Sequence, residues 1–154
     1  WLKQAFNHYR YYLSGFLIVF TVVTVCKVIV GEPRPHFLDT CRPKEAVNCT
    51  SGYFTTYKCL NTNVSSYMMR DAKKSFPSGH AGFSFYLFTY LALFLHNRLR
   101  RVSPIMLTWI HTLIFLWAIF CAWTRITDRR HHWWDVIAGA TLGIVIAFFS
   151  VCIA

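Results

Sequence analysis

The 154 residues are 55% hydrophobic and 18% aromatic, only 14% are charged, and the formal net charge is +10. A soluble domain of this length rarely combines such apolar content with four long uncharged runs, so a helical core in water is the weaker reading. Nucleic-acid binding is disfavoured too, because the cations lie at the ends of the apolar runs and in short motifs rather than along a basic stripe.

The uncharged runs cover residues 11–26, 81–95, 105–124 and 136–154. Each approaches the ~20 residues that cross ~30 Å of hydrocarbon, the first two when flanking residues such as Val28–Val30 are added. A bilayer admits only helices or closed barrels. The expected fold is therefore an all-α polytopic membrane bundle, with four spans in one domain over residues 1–154. Alternating helices would put residues 1–10 and 97–104 on one side and 31–77 and 125–134 on the other. Cations occur on both sides, so the positive-inside rule does not orient the chain. The sequence starts at Trp1, without Met or a recognisable signal peptide, and is expected to be the C-terminal part of a longer protein.

Residues 31–77 form a long polar loop with little helical or strand periodicity, and loops of that length are usually functional or mobile. It holds two glycosylation sequons, at Asn48 and Asn63, and three cysteines, Cys41, Cys49 and Cys59. Together these favour a lumenal or extracellular side. Three cysteines allow one internal disulfide; Cys49–Cys59 is the preferred pair, against three free thiols.

Three clusters carry the chemistry: Lys27-x6-Arg34-Pro35, then Pro77-Ser78-Gly79-His80, then Arg125-x5-His131-x3-Asp135. All lie at the same predicted membrane face. Ser78 is a strong N-cap, and a helix N-terminus offers free N–H groups and positive potential to a phosphate. Gly79 allows close backbone approach, and His80 is placed to protonate a leaving alkoxide. His131 and Asp135, four apart, would share one helix face, so that Asp135 holds one imidazole nitrogen while the other attacks phosphorus. His132, three from Asp135, is a geometric rival for that role. Lys27, Arg34 and Arg125 supply cations for a phosphate dianion. Each cluster alone also reads as a helix cap, an interfacial ion pair or an anchor; the three in order point to phosphoester hydrolysis without a metal or other cofactor.

These motifs resemble the type 2 phosphatidic acid phosphatase superfamily, and within it the animal lipid phosphate phosphatases. Arg34-Pro35-His36-Phe37-Leu38-Asp39 and His131-His132-Trp133 are particularly similar to that branch, over residues 10 to 150 or so. Thr124 stands where the family usually has Ser before the Arg. The resemblance selects His131 over His132 as nucleophile. It implies a phosphohistidine intermediate, a cap formed by the long loop, and six spans of which these would be the last four. It further implies dephosphorylation of phosphatidate, lysophosphatidate, sphingosine 1-phosphate and ceramide 1-phosphate, at the extracellular face of the plasma membrane or a lumenal one. The rival expectations are a glucose-6-phosphatase-like enzyme and a non-enzymatic protein that binds or moves lipid phosphates.

The remaining features read more plainly. Gly139-x3-Gly143 lets another helix approach closely, within the bundle or in a homo-oligomer. Asp39, Asp71 and Asp128 are expected as caps or ion-pair partners, His36 at the border of the site, His8 and His96 at the opposite face. His111 is expected to be hydrogen-bonded within a span. The tryptophans read as packing or interfacial residues, with Trp133 and Trp134 placed to touch a lipid substrate.

Overall fold

The first apolar run extends at both ends into one long helix, α1 (Leu2–Val30). It stops where Gly31 takes a left-handed conformation with φ of 60°, and Pro33 and Pro35 follow. This computed structural model describes residues 2–48, 56–99 and 103–154. Within α1, Val19 and Val23 turn inward while Leu17, Ile18 and Phe20 face outward. The hydroxyls of Thr21 and Thr24 donate to the carbonyls of Leu17 and Phe20, each at 2.8 Å. They are thereby satisfied inside the helix, as hydrocarbon requires.

Three further long helices follow: α4 (Gly79–Arg98), α5 (Pro104–Thr127) and α6 (Trp133–Ile153). Ser78 caps α4 by accepting from the Ala81 amide, Pro104 opens α5 at its first turn, and Asp135 closes the first turn of α6 by accepting from the His132 amide at 2.9 Å. Among the described residues, α4 is central and packs most extensively on α6, then on α5 and α1.

Glycines set that closeness. A side-chain carbon at Gly139 would overlap the Ser78 carbonyl, and one at Gly143 the Gly82 carbonyl. The small-residue pattern is thus used inside the bundle. On the far side of α4, the hydroxyls of Tyr86 and Tyr90 donate to the carbonyls of Tyr12 and His8 at 2.6 and 2.7 Å, tying α4 to the first turns of α1.

Among the described residues, three helical stretches are long and apolar enough to cross a membrane: Phe6–Val30, Pro104–Thr127 and Trp133–Ile153. The four expected spans are not all recovered, because α4 falls outside this set although it is 20 residues long. Its glycines, tyrosines and polar ends lower its hydropathy. They are tolerated because neighbouring helices cover Ala81, Gly82, Phe85, Tyr86 and Tyr90. The expected hydrogen bond of His111 is absent as well: its Nε2 is buried with no partner among the described residues.

The loop is more regular than its composition suggests. It contains α2 (Phe37–Cys41), a 3-10 turn (Lys44–Asn48) and α3 (Ser66–Asp71). Phe37, Cys41 and Ala72 form a small core beneath Tyr57, Cys59 and Met69. The disulfide joins Cys41 to Cys59, with Cα atoms 4.7 Å apart, which replaces the expected Cys49–Cys59 pair. Arg42 ends α2 in a left-handed turn and brings Pro43 into a bridge with Cys59, so the partner of Cys59 is the end of α2. Cys49 and Thr50 of the first sequon lie outside the described residues, as does the side chain of Asn48; Asn63 is exposed.

Candidate active site

Backbone hydrogen bonds bring the three clusters together before any side chain is considered. The Ser78 amide donates to the Asp135 carbonyl at 2.9 Å, joining the start of α4 to the start of α6. The Ser75 amide donates to the Glu32 carbonyl and the Arg34 amide to the Ala72 carbonyl, both at 2.9 Å. These two bonds fasten the Arg34 segment to the approach of α4. The loop between α5 and α6 folds back on itself, the His131 amide donating to the Arg125 carbonyl at 3.1 Å.

His131 and Asp135 sit at the base of this junction, 3% and 0% exposed. The His131 Nδ1 lies 3.7 Å from Asp135 Oδ2, beyond hydrogen-bond range. Burial pushes the His131 imidazole below its ordinary value; the Asp135 carboxylate pulls it back up, and the Arg34 and Lys27 cations push it further down. His80 is exposed on the first turn of α4, within electrostatic reach of Arg125, His131, Lys27 and Arg34. Lys27, in the last turn of α1, feels Arg34, Asp71 and Asp135. The expected residues therefore converge on one place.

Both arginines are held by carboxylates. Arg34 Nη2 donates to Asp71 at 2.8 Å and Arg125 Nη2 to Asp128 at 3.2 Å. The Arg34 Nε is buried with no hydrogen-bond partner among the described residues. An orphaned buried guanidinium N–H is costly, and an anion at this point would satisfy it. Arg125 also donates from Nη2 to the Thr124 hydroxyl at 3.2 Å, so the Thr at this position orients the arginine. Gly79 is buried, and a side-chain carbon there would face Val23 at 3.4 Å.

Several participants were not legible in the motifs. The Ser75 hydroxyl, fully buried, donates to Asp135 Oδ2 at 2.5 Å and lies 3.4 Å from His131 Nδ1. Glu32 accepts from Trp134 Nε1 at 2.9 Å, and the His132 ring stacks on Trp134 with centroids 4.5 Å apart. Trp134, expected beside a lipid, is thus partly committed to Glu32 and His132, while Trp133 is 60% exposed. His36 borders the site by sharing a hydrogen bond between Nδ1 and the Arg129 carbonyl at 2.9 Å.

Among the described residues, Glu32, His132 and Asp135 bring ligand atoms within 4.8 Å of one another and could hold a cation. Asp135 Oδ2 already accepts from Ser75 and from the His132 amide. A cavity of about 580 Å³ opens beside the cluster, lined by residues that include Glu32, Arg34, Phe37, Tyr57, Lys73 and His132.

Residues 8–154 match the PAP2 superfamily, and the chain belongs to it. Similar relatives include a "Putative phosphatidate phosphatase" of Drosophila melanogaster, 30% identical over 96% of this chain and 41% of its own length. A "Phospholipid phosphatase homolog 1.2 homolog" of Caenorhabditis elegans is 35% identical over 88% of the chain and 40% of its own. "Phospholipid phosphatase 2" of Rattus norvegicus is 32% identical over 92% and 50%. The chain spans 40% to 50% of the length of these curated relatives. No solved structure matches it.

Proposed function

We propose that this chain carries the catalytic centre of an integral-membrane, metal-independent phosphomonoesterase acting on lipid phosphates. The observation that carries the reading is the convergence of a buried imidazole–carboxylate pair with three cations and an exposed histidine at one end of an apolar bundle. Membership of the PAP2 superfamily supports it. In this scheme Lys27, Arg34, Arg125, the Ser78 hydroxyl and the Gly79 amide hold the phosphate oxygens, the Ser78 amide being given to the Asp135 carbonyl. His131 Nε2 attacks phosphorus, and the ester oxygen departs with a proton from His80. Water, deprotonated by His80, then cleaves the phosphohistidine and releases phosphate. The Asp135 carboxylate, 3.7 Å from Nδ1, favours a proton there by its charge, leaving Nε2 as the nucleophile. The cations neutralise charge that spreads over the equatorial oxygens in the transition state.

Position and family both support this substrate class. A headgroup can enter the cation cluster while its tail stays in hydrocarbon, which suits phosphatidate, lysophosphatidate, sphingosine 1-phosphate and ceramide 1-phosphate. We read α4 as a fourth crossing, shielded by its neighbours. We place the site on the extracellular or lumenal side, supported by the Cys41–Cys59 disulfide and the exposed Asn63 sequon, with glycans expected at Asn48 and Asn63. Phosphate release from lysophosphatidate micelles in excess chelator, by the full-length protein and its His131→Ala variant, tests the scheme. Release by the parent alone is expected. Turnover by the variant at the parental rate, or strict dependence on added Mg²⁺, would refute it.

A further inference from the structure

We infer that Ser75 is a positioning residue for the nucleophile, its hydroxyl standing between His131 and Asp135 as the middle of a three-member chain. The inference rests on the phosphohistidine reading above and adds to it a residue outside the three motifs.

A serine hydroxyl has one proton to donate and two lone pairs to receive with. Ser75 donates to Asp135 Oδ2 at 2.5 Å. That leaves its oxygen free to accept from His131 Nδ1 at 3.4 Å, whereas the direct Nδ1–Oδ2 separation is 3.7 Å. The carboxylate therefore reaches the imidazole through the hydroxyl more closely than by itself. The resulting order, Nδ1–H to Oγ–H to Oδ2, places the histidine's proton on Nδ1 and bares Nε2.

The position of Ser75 is itself determined from three directions. It is fully buried, its amide donates to the Glu32 carbonyl, and Asp135 is fixed independently by the His132 amide at 2.9 Å. A hydroxyl placed this way cannot rotate toward water. It is also well placed to let the carboxylate stabilise the positive charge that the ring acquires when the N–P bond forms.

The test compares steady-state kinetics of the full-length protein with Ser75→Ala, Ser75→Thr and Ser75→Val on lysophosphatidate micelles, with inorganic phosphate as a competitive inhibitor. Ser75→Ala should lower kcat about tenfold to a hundredfold, the range that one or two lost hydrogen bonds produce. KM and the phosphate inhibition constant should stay within about twofold, because the cation cluster is untouched. Thr, which keeps the hydroxyl, should recover kcat over Val, which has nearly the same shape without it. Equal kcat in Thr and Val, an unchanged kcat in Ala, or a loss confined to KM would overturn the role. If the added methyl unfolds both larger variants, Ser75→Ala alone decides, with kcat normalised to the folded fraction. A parent that releases no phosphate overturns the phosphatase reading and this one with it; an active parent indifferent to Ser75→Ala overturns only the positioning role.

Discussion

His131 is nearly sealed from solvent, and that burial is the largest influence lowering its basicity from the ordinary 6.5. The sign for activity follows directly. In the proposed scheme the attacking form is the neutral imidazole, which predominates above the pKa, so a lowered pKa would extend activity toward acid. The acid limb of kcat/KM, corrected for ionisation of the substrate phosphate, is expected to have its midpoint below pH 6.5. A midpoint above that value would mean that Asp135 dominates over burial and the two cations. His80 differs in being exposed at the mouth of the site. As the proposed acid it should matter in proportion to leaving-group basicity: His80→Ala should slow alkyl phosphates by about 10²–10⁴-fold and activated aryl phosphates far less. Equal losses on both substrates would remove it from that role.

At the scale of elements, the site depends on how near α6 lies to α4. Ser78 donates its amide to the Asp135 carbonyl only because Gly82, Gly139 and Gly143 let the two backbones touch. Gly143→Val should therefore destabilise the bundle by about 1–3 kcal/mol or more, since its branched side chain would enter the Gly82 carbonyl. Gly79→Ala should cost less stability, because its added carbon meets side-chain atoms of Val23 and Phe83 at 3.4 and 3.7 Å rather than backbone. Thermal unfolding in detergent checks the ranking, and a Gly143→Val protein as stable as Gly79→Ala would show that the helices can slide apart at little cost. The same crossing explains why α4 is less apolar than its neighbours. A central helix meets side chains rather than lipid, so glycines and hydrogen-bonded tyrosines suffice.

At the scale of the molecule, residues 31–77 are joined to the bundle at the site. Arg34 and Ser75 are pinned to each other's segments, and Asp71 of α3 holds the Arg34 guanidinium at 2.8 Å. This segment is crosslinked by Cys41–Cys59 over a separation of 18 residues, a loop whose constraint is worth about 3 kcal/mol. Replacing both cysteines with Ser should accordingly speed proteolysis between residues 42 and 58. An unchanged cleavage rate would indicate that the packing around Phe37 and Ala72 holds this segment without the crosslink.

Local pattern alone determined a good deal about this protein. Its uncharged runs marked the four long helices, and length and hydropathy suffice for three of them as membrane spans but not for α4. The spacing of Lys27, Arg34, Ser78, His80, Arg125, His131 and Asp135 identified the candidate site, because chemistry of that kind restricts residue type. Tertiary structure decided the rest. The pairing of Cys41 with Cys59 depends on the left-handed turn at Arg42 and the bridge from Pro43. The contact of Ser75 with Asp135 joins residues 60 apart, and the bond from Trp134 to Glu32 joins residues 102 apart. Such contacts leave no periodic signal; they exist only after the glycine-lined crossing has brought α6 against α4 and the Glu32–Arg34 segment has bonded to residues 72–75.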